Sequence, residues 1–198
     1  MIYVRVDGSQ YMGEDSPYDP TRAKLGVEFA VALAAITGKS TGVITAYVQQ
    51  MNQMQLLYQM RYLDLMRRLK LNGLISFSTT HRMLGSQRDN IVAILGKEHS
   101  GIHDFNTTMY FQEPELLNVQ LSRHQRLLVV IGNLTSLINT VNRIHQLKHL
   151  AEYTSMKITA ECILDLAGIE RTASGTYQWV RNGDGCVYVP FGAAQLAA

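Results

Sequence analysis

Apolar residues recur every three or four positions over most of the chain, and that spacing predicts helices. Asp19-Pro20 opens the first: Asp can accept from free amides at a cap, and Pro suits a first turn that needs no donor. This helix runs from Pro20 to about Ile36 and is rich in Ala30, Ala32, Ala34 and Ala35, so it suits close packing at the centre of the molecule. Thr37-Gly38 breaks it. A second helix is expected from about Gly42 to Leu71. Ile44, Tyr47, Met51, Met54, Tyr58, Leu65 and Leu69 form one seam, glutamines fill the opposite face, and Asn72-Gly73 ends it. Ser86-x-x-Asp89 reads as a capping box before a short helix that Gly96 closes.

The longest helical pattern begins at Pro114 and reaches about Tyr153. Val130, Leu134, Leu137, Val141 and Ile144 keep a strict repeat, and Lys148 interrupts it. A further helical stretch covers Lys157 to Ala167. Only the two ends alternate with period two. Met1 to Val6 reads as a strand. Tyr177–Arg181 and Cys186–Pro190 flank Asn182-Gly-Asp-Gly185 as a β-hairpin, with Pro190 stopping the second strand or marking an edge. The expected fold is therefore mainly α: an elongated bundle of long antiparallel helices over 20–167, with a small antiparallel β element from 1–6 and 177–190, in a single domain spanning 1–198.

Composition narrows the chemistry. The 198 residues are 46 % hydrophobic and 17 % charged, which is core-forming material with few charges. A net charge of +2 gives no bulk case for nucleic acid but leaves room for a local basic patch. Cys162 and Cys186 are too few for a disulfide framework or a four-cysteine zinc site. Acidic residues precede the first apolar run, against a signal peptide, and that run is too short to span a membrane. A cytoplasmic protein, or one built into a virion or other large assembly, is expected.

Linear motifs for catalysis are missing. Gly38-Lys39-Ser40 invites comparison with a phosphate loop, but position 33 is Leu rather than Gly and a helix precedes it, so it reads as a helix-breaking turn. His99/His103 and His145/His149 have the spacing of metal-ligand pairs without a third ligand, and read as solvated or capping histidines. No nucleophile stands in a recognisable setting. These observations favour a non-enzyme with no cofactor and no metal.

The sequence from Trp179 to Val189 (Trp-Val-Arg-Asn-Gly-Asp-Gly-Cys-Val-Tyr-Val) resembles the trimerising hairpin of phage fibritin. It departs from that family in the extra Gly183 and in Cys186 and Val187, which replace acidic and Trp residues. The resemblance implies a subunit contact in a virion-like assembly.

Low charge, heptad-like helices and a Met/Gln/Tyr surface point to a self-assembling structural subunit, such as a virion head, neck or tail component or a secretion-machine subunit. Its partners would be copies of itself and other subunits of the assembly. Met51, Met54, Tyr58 and Tyr62, with Trp179 and Tyr188 on the hairpin, are the candidate interface residues. A bland alternative makes the methionines ordinary core filler. Two further readings are a helical nucleic-acid-binding protein using Arg61, Arg67, Arg68 and Arg126, and a metal-dependent or other enzyme without a linear motif.

Overall fold

A computed structural model describes residues 2–6, 16–96, 119–132, 169–171, 177–179 and 187–191. Its centre is a parallel β-sheet flanked by helices, and this overturns the expected antiparallel bundle. Six strands lie in the order β3-β2-β4-β5-β1-β8. They are β1 (Ile2–Val6), β2 (Thr41–Thr45), β3 (Ile75–Thr79), β4 (Arg88–Ile94), β5 (His124–Gly132) and β8 (Val187–Phe191). Every neighbouring pair is parallel.

The first helix forms as its sequence predicts. Helix α1 (Pro20–Thr37) begins with the Asp19 carboxylate accepting from the Arg22 amide at 3.0 Å. It ends at Gly38, whose left-handed φ of 60° lets its N–H donate to Ala34 O. It lies against β2, β4 and β5.

The second expected helix is two kinds of element. Thr41–Thr45 is a strand with all five residues buried, and helix begins only at α2 (Val48–Arg61), followed by α3 (Leu63–Arg68). Thr-Gly-Val-Ile-Thr is β-branched and short, the profile of a central parallel strand. The expected capped helix near Ser86 is instead β4, and the long helix from Pro114 contains β5. In that region only 119–122 are helical among the described residues. The Leu134–Ile144 repeat and the 157–167 stretch lie outside the described residues.

The terminal strands also pair differently. β1 is a strand as expected, but it runs parallel between β5 and β8. β7 (Tyr177–Trp179) pairs antiparallel with β6 (Ile169–Arg171), while Val187–Phe191 joins β1. The two halves of the expected hairpin therefore belong to different sheets. β8, with Pro190 in register with Arg5, is an edge strand.

Register aligns apolar side chains into rows across the sheet. Phe77, Val43, Val92, Val129 and Ile2 share one row, and Ile94, Ile131 and Val4 share the next. These residues pack in one core with Val27, Ala30 and Ala34 of α1 and Met54 and Tyr58 of α2. The alternate residues Ile44, Ile91, Ala93, Leu128 and Val130 are buried too, so both faces are covered. Each such side chain contributes about 1.5–3 kcal/mol of burial, and the central strands supply many of them.

The link from β3 to β4 is short. Parallel neighbours usually need a crossover of about a dozen residues or more. Here residues 80–87 join β3 to β4 even though the link must also pass β2, which lies between them; it opens with a tight 3-10 turn at Thr80–Met83. The Thr80 hydroxyl donates to Thr45 O at 3.2 Å, and the Ser86 amide donates to Met83 O at 3.1 Å. Gly85 takes φ 77°, a conformation that would strain a side chain.

Candidate functional site

In a parallel sheet all strands start at one edge and end at the other, so the two edges differ chemically. Ligands of open α/β sheets commonly bind outside the carboxyl edge. Here the described part of that edge is closed. Arg22 is 1 % exposed and donates from Nη1 to Leu95 O and Gly96 O, both at 3.3 Å. Its Nε lies 3.5 Å from the Asp19 carboxylate. Gln50 accepts from the Asp19 amide at 2.6 Å and donates to Asp19 O at 3.2 Å. Gln120, fully buried, donates to Ile44 O at 3.3 Å and Ile94 O at 2.7 Å. Most of these groups are spent on one another; the buried Asp19 Oδ2 has the Arg22 ion pair but no hydrogen bond among the described residues.

The amino edge is open and basic. Lys39 precedes β2, Arg88 begins β4, and Arg123, His124 and Arg126 lie at the start of β5. Arg88 and His124 are register partners, and the Arg88 amide donates to Arg123 O at 3.1 Å. Asp89 is the acid set among them. The Ser40 hydroxyl donates to its carboxylate at 2.6 Å and accepts from its amide at 3.0 Å. That hydrogen bond, aided by Lys39 and Arg126, holds the Asp89 carboxyl below the usual range.

Two other cations here have defined surroundings. Arg88 is engaged, with Nε donating to Ser76 Oγ at 3.3 Å and Nη1 to Gln87 O at 2.8 Å. Arg123 is not: its Nε is shielded from water and has no hydrogen-bond partner among the described residues. A buried donor without an acceptor costs roughly 1–3 kcal/mol, and such groups call for an explanation. A guanidinium held this way is set to receive an anion, and its planar fork matches phosphate or carboxylate oxygens.

The expected site residues fall elsewhere. Met51, Met54 and Tyr58 are buried within the chain's own core, and Tyr58 packs on Phe77 with ring centroids 5.5 Å apart. Burial raises the Tyr58 phenol above its ordinary value. Tyr62 is half-buried, with its hydroxyl 3.5 Å from Glu28; burial and then Glu28 raise it too. Trp179 pairs with Ile169, and Tyr188 with Tyr3.

Arg61, Arg67 and Arg68 are exposed on α2 and α3. Arg61 borders a cavity of about 260 Å³ between α1 and α2, with Tyr18, Lys24, Gln53 and Leu57. Arg67 pairs with Asp64 at 3.3 Å. Arg126 is on β5 beside Asp89, not with these three. His99, His103, His145 and His149 lie outside the described residues. Among the described residues no three His, Cys, Asp or Glu side chains gather as a metal site, and no helix is long and apolar enough to cross a membrane.

Arg88 and Gln120 carry no motif in the sequence, and Asp89 enters there only as the end of a capping box that the structure replaces with β4. Their signal is positional: each stands at an end of, or just before, a β-branched run that reads as a strand only once 88–94 and 124–132 are recognised as buried on both faces.

No curated protein matches the chain. A family model described as an AAA domain matches residues 6–135, about two thirds of the chain. The fibritin resemblance finds no support in that match, and among the described residues β8 pairs only in parallel, with β1. The expectation of a non-enzymatic, virion-type structural subunit falls with it, because the family points to nucleotide-hydrolysing, helicase-like chemistry. The match spans α1 and strands β2 to β5, the frame that carries the basic amino edge, and the chain belongs to the AAA domain family.

Proposed function

We propose that this chain is the phosphate-sensing lobe of a nucleoside-triphosphate hydrolysing, helicase-like module, and that it meets nucleotide with the amino edge of its sheet. The single observation that carries this reading is the shielded Nε of Arg123, without a hydrogen-bond partner among the described residues, in a basic setting.

A phosphate loop joins a strand to a following helix, so that the helix N-terminus faces the phosphates. Gly38-Lys39-Ser40 joins a helix to a following strand, the reverse order, and the first Gly of the motif is Leu33. Lys39 therefore cannot cradle phosphates as a loop lysine does. The grip on the β- and γ-phosphates belongs to a second, loop-bearing lobe. This lobe adds charge from the opposite side.

During phosphoryl transfer, negative charge spreads over the oxygens of the moving group. Arg123 would donate to those oxygens from a position fixed before the reaction, so little reorganisation opposes it. The partly shielded site strengthens the interaction relative to open water. Lys39 and Arg126 raise the local positive potential and help draw in the polyphosphate. A nucleic-acid strand is the natural co-substrate of helicase-like chemistry, and the exposed Arg61, Arg67 and Arg68 offer contacts to its phosphates.

Calorimetric titration with MgATP and with tripolyphosphate, over a salt series, tests the reading. Saturable binding that weakens with salt and is lost in Arg123→Ala is expected. No heat at low salt, or an Arg123→Ala variant that binds like the parent, contradicts it.

A further inference from the structure

The Arg123 guanidinium can act only if the backbone that carries it is fixed. Among the described residues that backbone is the helical stretch 119–122 and its junction with β5. A helix end frays unless it is tied down. Something outside the turn must hold it.

Three bonds do so. The Gln120 amide reaches carbonyls on two adjacent strands, Ile44 O of β2 and Ile94 O of β4. Leu121 O is bonded by His124 Nδ1 at 3.0 Å, which closes the turn onto the first residue of β5. Arg123 O accepts from the Arg88 amide, the first residue of β4. The turn is thus tied to the last residue of β4 through Gln120 and to the first through Arg123. Of these ties, only Gln120 is a fully buried side chain that spans two strands.

We infer that Gln120 is a positioning residue for Arg123: by bridging β2 and β4 it sets where the guanidinium stands at the amino edge. Gln120 touches no phosphate itself. The inference rests on the phosphate-binding reading of Arg123 given above. An apolar residue of equal size would fill the space but release the turn from both carbonyls, leaving the two main-chain oxygens with one fewer donor.

A double-mutant cycle in tripolyphosphate affinity, on the full chain, tests this. The variants are Gln120→Met, Arg123→Ala and the pair, with Gln120→Leu as a second replacement should Met pack poorly. Gln120→Met is expected to weaken binding by roughly tenfold, as for groups that orient other ligands. Arg123→Ala in that background is expected to add much less than it does alone, because both changes remove one contact.

A spectroscopic reading separates positioning from general weakening. The Arg123 Nε–H resonance is expected to be sharp in the parent chain and broadened in Gln120→Met, while amide signals of α1 stay in place. If Arg123→Ala leaves binding unchanged, the phosphate reading itself fails. If Arg123→Ala abolishes binding while Gln120→Met and Gln120→Leu bind like the parent, the positioning role alone fails. Strictly additive losses, or an unchanged Nε–H signal, also overturn it.

Discussion

The main-chain amide of Arg88 donates to the carbonyl of Arg123 at 3.1 Å. This bond joins the end of the short β3–β4 crossover to the residue that enters β5. Gln125 adds a side-chain tie, donating to Gln87 at 3.0 Å. The other end of the same crossover is fixed at the carboxyl edge by Thr80 on Thr45 O. One eight-residue link therefore reaches from the closed edge of the sheet to the basic one.

Arg22 and Asp19 form a buried ion pair, each 1 % exposed. Removing one partner strands the other charge in a low-dielectric site. Arg22→Ala is expected to destabilise the fold by about 3–5 kcal/mol. The double change Asp19→Asn with Arg22→Met is expected to cost less than the two single changes summed. Urea denaturation of the parent, Arg22→Ala, Asp19→Asn, Arg22→Met and the double variant checks both statements.

Gly132 ends β5 against Leu95. A Cβ there would lie 2.8 Å from both Leu95 Cβ and Leu95 Cδ1. Leu95 Cβ is bound to the backbone and cannot swing aside. Gly132→Ala is expected to cost about 1–3 kcal/mol through overpacking. A thermal melt lower than that of the parent by several degrees is the expected reading.

Asp89 ties stability to acid pH. Its carboxyl titrates below the ordinary value in the folded chain, chiefly through the Ser40 hydroxyl. A depressed carboxylate contributes stability that is fully present above its unfolded value and is lost as pH falls through its folded value. Ser40→Ala removes the largest cause. The Asp89 carboxyl, followed by carbon-detected NMR, is then expected to titrate at higher pH than in the parent. The acid limb of the stability curve is expected to flatten.

The sequence showed the local signals that one residue or a short span can carry. Asp19-Pro20 and Gly38 bounded α1 correctly because capping is a local property. The strands escape such local signals for a physical reason. Leu127-Leu-Val-Val-Ile131 is apolar at consecutive positions, since a central parallel strand is buried on both faces. Such a run satisfies a 3–4 spacing as readily as a helix does. Ile44 and Val130 therefore fit a helical seam by spacing, although they stand in β2 and β5. Met54 and Tyr58 were correctly placed on one helix face, yet that face packs on the sheet of the same chain.

The candidate site was harder still to see. Lys39, Arg88, Arg123 and Arg126 are scattered over nearly ninety positions, and only parallel register brings them to one edge. Gln120 carries no sequence signature at all. Its role depends on two carbonyls that lie 76 and 26 positions away.

The central claim is that nucleotide phosphates meet the amino edge of this sheet. Amide and arginine Nε NMR spectra recorded during titration with MgATP at low salt test it most directly. The account predicts shifts at Lys39, Arg88, Asp89, Arg123 and Arg126, with Thr45, Thr79 and Thr80 unmoved. Shifts centred on Thr45, Thr79 and Thr80 at the carboxyl edge, or none at all, would contradict it.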